Sequence, residues 1–247
     1  MVDATARLTT LTRLGFATRG LLYGVVAFLV LSAGQAEDLS GALGFVGRGG
    51  GQLLLMLMTA GLTAYGIWRL SDAAFDIGRH GADGKGIRER VGAGISGMTH
   101  LFLAWQALKL AQGTSAASGS GSQDYASKAL ALPGGEGFLI AAGLSMVGLG
   151  ILQLMKAAKG TFLDHLEPDV AHKPWARWTG RSGYAARGVV FAVIGLFLAR
   201  AGWAENASEA GGMAEALAWL SRPWDILVAA GLLGFGLFSL IETRYRV

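Results

Sequence analysis

The sequence predicts an all-α membrane protein: six transmembrane helices arranged as three parallel helical hairpins in a pseudo-threefold bundle. Three observations predict it. Hydrophobic residues make up 52% of the 247-residue chain and charged residues only 15%, against roughly a quarter charged in soluble domains. Six apolar stretches approach the ~20 helical residues that a bilayer core of about 30 Å requires. A glycine-marked pattern also recurs three times along the chain. The same composition excludes other classes. Hydrophobicity is too high for disorder, and a chain with no cysteine has no disulfide, thiolate metal site or cysteine nucleophile.

The six spans are Leu14–Ser32, Gly51–Leu70, Val91–Leu110, Gly137–Met155, Gly183–Ala201 and Trp224–Leu240. Polar connections separate them: Gly34–Gly50, Ser71–Arg90, Ala111–Glu136, Lys156–Ser182 and Gly202–Pro223. Leu21–Ala36 has the look of a signal peptide, but the same pattern returns at Val189–Ala204. A segment reused deep inside the chain is structure. Of the 21 Lys and Arg residues, 16 fall on one side, counted over the N-terminus to Arg19, from Arg69 to Arg90, from Lys156 to Arg187 and at the C-terminus, and five (Arg48, Lys109, Lys128, Arg200, Arg222) on the other side. Cytoplasmic loops carry the excess of positive charge, so both termini are expected in the cytoplasm. Trp68, Trp175 and Trp178 then fall near the inner boundary, and Trp203, Trp219 and Trp224 near the outer one, where amphipathic rings prefer to sit.

The repeat is read from two signatures. Arg13-Leu14-Gly15-Phe16-Ala17-Thr18-Arg19-Gly20 is echoed by Arg181-Ser182-Gly183-Tyr184-Ala185-Ala186-Arg187-Gly188 and, more weakly, by Arg90-Val91-Gly92-Ala93-Gly94-Ile95-Ser96-Gly97. Each opens an odd-numbered span. The even spans share glycines five apart: Gly61 and Gly66, Gly143 and Gly148, Gly231 and Gly236. One integral membrane domain, 1–247, is therefore expected to contain repeats 11–76, 88–163 and 179–246. Two spans per repeat make the copies parallel, related by an axis along the membrane normal. Lipid tails are as apolar as leucine, so helices associate by close approach at small residues; the glycines at 15, 20, 61, 66, 92, 97, 143, 148, 183, 188, 231 and 236 are read as packing positions. Each outer connection adds a short semi-apolar segment, Leu39–Val46, Tyr125–Leu132 and Met213–Leu220, expected as a half-helix on the outer surface. Ala111–Ser122, rich in Gly, Ser and Ala, reads as a flexible loop.

Gly183-Tyr184-Ala185-Ala186-Arg187-Gly188-Val189-Val190, its two earlier echoes and the three-hairpin layout resemble a family of bacterial membrane proteins, domain of unknown function 1206. The resemblance covers nearly the whole chain and is clearest in the first and third repeats. The second departs from it, with Ser96 where the others have Arg19 and Arg187. The resemblance implies a layout and a membrane location, and no established activity or catalytic residue.

Charges inside spans are the sharpest leads, because one at mid-helix costs at least about 2.5–3.5 kcal/mol. Arg19 and Arg187 can snorkel to the headgroups. Eleven residues beyond Gly61 and Gly231 stand Asp72 and Glu242, and eleven beyond Gly143 stands Leu154. Repeats with the arginine also have the acid, so ion pairs are expected within hairpins, Arg19–Asp72 and Arg187–Glu242, as structural clamps. Gly94-Ile95-Ser96-Gly97 matches the Gly-x-Ser-Gly string of rhomboid intramembrane proteases, and Ser96 and His100 share one helix face at a spacing of four. The rhomboid dyad joins two helices, however, and Ser96 aligns with arginines in the other repeats.

His100 is the one histidine inside a span. His80, His165 and His172 lie in connections, at spacings that fit no metal-ligand pattern, so no cofactor or metal site is expected. Gly47-Arg48-Gly49-Gly50-Gly51 follows no strand and is no phosphate loop. The formal net charge of +4 reflects topology and attraction to anionic lipid on the cytoplasmic side, not nucleic-acid binding. The expected function is a non-catalytic structural or accessory membrane component. A small-solute or ion transporter is the alternative and a membrane enzyme the minor one. The bilayer and a membrane-protein partner or second copy are the expected partners.

Overall fold

A computed structural model describes residues 4–34, 36, 39–47, 51–78, 81–113 and 121–246. Arg48, His80, part of the glycine cluster at 47–51 and most of the loop at 111–122 lie outside the described residues. Ten α-helices carry the described chain: α1 (Ala4–Phe28), α2 (Leu39–Gly47), α3 (Gln52–Phe75), α4 (Gly84–Ala111), α5 (Gly121–Leu130), α6 (Gly135–Lys159), α7 (Pro168–Ala171), α8 (Pro174–Trp203), α9 (Met213–Trp219) and α10 (Trp224–Tyr245). Among the described residues there is no strand, only an isolated bridge between Leu166 and Arg246.

Local chemistry sets the ends. The Asp83 side chain accepts from the Gly86 amide at 2.8 Å and starts α4, the usual service of an aspartate at this position. Pro174 occupies the first turn of α8, where its missing N–H costs nothing. Helix α1 widens into a π turn, Leu29–Ala33, and stops at Gly34 with φ +63°. Gly160 ends α6 with φ +76°, a left-handed conformation that side chains resist.

Five helices are long and apolar enough to cross a membrane: α1, through its window Gly15–Ser32, and α3, α6, α8 and α10. By length and composition the chain is a multi-pass membrane protein. The third expected span does form a helix, α4, but it does not reach the hydropathy of the others. Ser96, Thr99, His100, Gln106 and Lys109 interrupt its apolar run. Apolar exposure fits a lipid solvent. Phe138 is 65% exposed and Leu144 63% on α6, an arrangement that water would penalise as a sticky patch.

The tightest helix pairs are not the expected hairpins. They are α3 with α4, α6 with α8, and α1 with α10, followed by α8 with α10 and then α1 with α3. Helices therefore follow one another in the order α4, α3, α1, α10, α8, α6. Among the described residues α4 and α6, the two spans of the second hairpin, share no packed interface. The strongest packing thus runs between consecutive hairpins and not within them. The glycines explain it, because they flatten the faces between consecutive hairpins and let backbones meet there.

The three short segments are helical, as α2, α5 and α9. Their placement differs from an outer-surface position for two of them. Leu43 of α2 is 0% exposed and Leu217 of α9 1%, and both join the main core with Val26, Leu55, Leu103 and Ala229. Helices α2 and α9 therefore pack one face each onto the bundle core. Helix α5 turns Ala126 onto Leu139, Ala201 and Ala210.

Candidate functional site

Helix α10 carries Phe235, Ser239 and Glu242 at spacings of four and three, which place them on one face, and Arg246 follows its last residue in extended conformation. Arg19 reaches that face from α1. Its Nε donates to Ser239 Oγ at 2.9 Å, and its Nη2 pairs with Glu242 Oε2. The other Glu242 oxygen accepts from Arg246 Nη1 at 2.7 Å. Glu242 is 3% exposed, so one buried carboxylate bridges two guanidinium groups and ties the first hairpin to the last. Ser239 Oγ in turn donates a hydrogen bond to the Phe235 carbonyl, 2.9 Å away. Aromatic faces complete the environment: Arg19 stands 4.6 Å from the Phe16 ring centroid and 4.9 Å from that of Phe235.

The expected within-hairpin pairs, Arg19–Asp72 and Arg187–Glu242, are thus corrected. Arg19 is drawn to α10 because Gly20 and Gly236 bring the two backbones together; a Cβ on Gly20 would stand 2.9 Å from the Gly236 carbonyl oxygen. Asp72 works locally instead. It pairs with Arg69 at 3.2 Å and accepts from the Gly78 amide at 2.7 Å, closing the end of α3. Arg187 lies on rings: 4.4 Å from Phe235, 4.9 Å from Phe191 and 5.6 Å from Tyr23. Its buried Nε has no hydrogen-bond partner among the described residues.

The glycine contacts repeat with a fixed register. Gly20 meets Gly236 and Leu240, Gly97 meets Gly66 and Leu70, and Gly188 meets Gly150 and Leu154. In each case the leucine follows its glycine by four. The second even span is therefore aligned by Gly150, two residues beyond Gly148. A Cβ at Gly148 or Gly92 would meet nothing within 4 Å, so these two are open positions and not packing ones. Gly15 abuts the Tyr65 ring, Gly143 meets Ala199 and Gly195, Gly183 meets Phe235, and Gly231 meets Ala186 and Ser182; Gly61 is buried. Sequence reading missed Gly150 and Gly195, because a spacing of five also matches the open Gly148. In the corrected register the position of Asp72 and Glu242 is held in the second repeat by Lys156.

The same register explains His100. Its ring packs on Tyr65 at 4.6 Å, as Tyr23 packs on Phe235 at 4.9 Å. His100 thus fills an aromatic slot. Its Nδ1 lies 2.7 Å from the backbone carbonyl of Ser96 and donates to it. Among the described residues no hydrogen bond joins the Ser96 hydroxyl to the imidazole, so the structure does not assemble a serine–histidine dyad. Outside the spans, desolvation reinforced by the Arg246 guanidinium lowers the His165 imidazole below its ordinary pKa. No group of three or more His, Asp or Glu residues among those described converges as a metal site would require.

The sequence comparisons agree with this threefold pattern. The profile of the family described as Domain of Unknown Function (DUF1206) matches residues 14–76, 91–160 and 182–246. An uncharacterized protein of Bacillus subtilis (strain 168), YxxB, is 31% identical over 247 aligned residues, 95% of this chain and 90% of that protein. No solved structure matches. With three profile matches spanning most of its length and a relative similar from end to end, the chain belongs to the DUF1206 family.

Proposed function

We propose that this protein is a non-catalytic structural or accessory component of a bacterial inner membrane, with six spans in three parallel hairpins and both termini cytoplasmic. The observation that carries the reading is the filled core. Leu43 and Leu217 are buried in the bundle core, glycine crossings bring the helices together along their length, and Glu242 is consumed by Arg19 and Arg246. A transporter needs a wettable path, and an enzyme needs a pocket with convergent polar groups. Helix α4 counts as the sixth span. Its 28 residues reach about 42 Å at 1.5 Å per residue, longer than the hydrocarbon core. The recurrent Gly–Gly–Leu contact supports a pseudo-threefold relation between the repeats, left open between α4 and α6.

Flux measurements on purified protein in liposomes test the function. Vesicles containing the protein are expected to pass K⁺, H⁺, Cl⁻ and phosphate no faster than protein-free vesicles. A saturable flux that disappears in Arg187→Gln would overturn the structural reading in favour of transport. Topology is tested separately, and the absence of native cysteine makes each introduced thiol a unique probe. In intact cells a membrane-impermeant maleimide is expected to label Glu205→Cys and to leave Lys173→Cys unlabelled until the membrane is opened. The reverse pattern would invert the orientation.

A further inference from the structure

We propose that Arg187 binds the phosphate of an anionic phospholipid that enters the bundle between α4 and α6. The proposal takes from the preceding reading only that these helices lie in a membrane. It begins with an unbalanced charge. Arg187 stands within a span, its Nε buried and without a hydrogen-bond partner among the described residues. The nearby carboxylate, Glu242, has both oxygens occupied by Arg19 and Arg246. The position that supplies a carboxylate to Arg19 across the α1–α10 crossing is the exposed Lys156 at the α8–α6 crossing, so the local register supplies Arg187 with no anion. Arg19 and Arg187 also share the Phe235 ring, at 4.9 and 4.4 Å, which sets two like charges close together.

Ring faces are a partial answer, each worth about 0.5–2 kcal/mol. They solvate the guanidinium plane and leave its Nε–H without an acceptor among the described residues. A phosphate matches the guanidinium edge, because two of its oxygens accept two parallel N–H groups. The route favours a lipid as the source. Among the described residues helices α4 and α6 share no packed interface, so this is the side from which an acyl chain could approach. Both helices carry exposed apolar side chains, Phe102 and Trp105 on α4 and Leu144 and Ile151 on α6.

The test uses the full chain in mild detergent, with native mass spectrometry and thermal unfolding read together. Wild-type protein is expected to retain one anionic phospholipid. Arg187→Gln should lose it about tenfold, as expected for one charge-assisted contact, and Arg187→Lys should retain an intermediate amount. After delipidation, added phosphatidylglycerol should raise the unfolding temperature of wild type and not of Arg187→Gln. Lipid-free Arg187→Gln should unfold at or above the wild-type temperature, since it removes an uncompensated charge.

Three results would each overturn the proposal. The first is an adduct kept by Arg187→Gln, and the second is a lipid-free Arg187→Gln that is destabilised, as a structural clamp would be. The third is stabilisation by inorganic phosphate equal to that by phosphatidylglycerol, which would assign the site to a soluble anion. Solute flux does not enter this readout, so it separates failure of the lipid site from failure of the structural reading.

Discussion

Replacing Glu242 by glutamine is expected to destabilise the protein by about 3–5 kcal/mol, the cost of leaving a buried charge without its partner. The substitution keeps the shape of the side chain and removes its charge. Arg19, whose side chain is 15% exposed, and Arg246, 30% exposed, then face each other across a neutral amide. The two arginines should not be equivalent. Arg246 lies at the helix end and can turn outward, so Arg246→Gln leaves Glu242 with Arg19 and is expected to cost about 1 kcal/mol or less. Arg19→Gln lies between these limits, because it also removes the bond to Ser239 and the contacts with Phe16 and Phe235. Unfolding in a fixed detergent and lipid mixture measures the order: Glu242 first, Arg19 second, Arg246 third. The double variant Arg19→Met with Glu242→Leu should recover most of the loss, as apolar replacements of buried ion pairs do. Equal stability of wild type and Glu242→Gln would mean that water reaches this carboxylate and that the first and last hairpins are held by packing alone.

Much of this arrangement was legible in the sequence, and the parts that were not share one cause. Spans and short connecting helices follow from hydropathy and length, which are properties of one segment at a time. The special positions Arg19, Arg187 and Glu242 also stood out, because a charge in an apolar run is costly wherever it points. Pairing belongs to two segments, and the sequence offers no distance between them. Hairpin partners were the natural guess for Arg19 and Glu242, yet glycine faces join each hairpin to the next one and the last to the first. The second repeat misled in another way. Gly143 and Gly148 repeat the spacing of Gly61 and Gly66, but the backbone contact is made by Gly150. Only the crossing with Gly188 reveals that, and with it the equivalence of Lys156 to Glu242. His100 is similar: alone it suggests chemistry, and beside Tyr65 it occupies the slot that Tyr23 fills against Phe235.

The glycine register leads to a second large effect. Gly143→Ala is expected to destabilise the protein by about 1–3 kcal/mol, the range for overpacking a filled interface, whereas Gly148→Ala should be neutral or stabilising by up to about 1 kcal/mol. Both replacements gain the same helix propensity, about 1 kcal/mol, so the difference between them isolates packing. At Gly143 the new Cβ would stand 2.5 Å from the Ala199 nitrogen and 2.6 Å from the Gly195 oxygen. Both are backbone atoms, so no side chain can rotate away and α6 must move off α8. At Gly148 the Cβ would meet nothing within 4 Å. Thermal unfolding of the two single variants decides it. Equal effects would mean that the crossing is looser than the structure has it, and a reversed order would turn the packed face of α6 toward Gly148. The consequence for the fold is larger than one contact. Only 17% of the α6 window is buried and among the described residues α6 shares no packed interface with α4, so its hold on the bundle rests mainly on α8. A methyl group at Gly143 therefore loosens a whole span, and Gly195→Ala, which meets the Gly143 oxygen from the other side at 2.6 Å, should do the same.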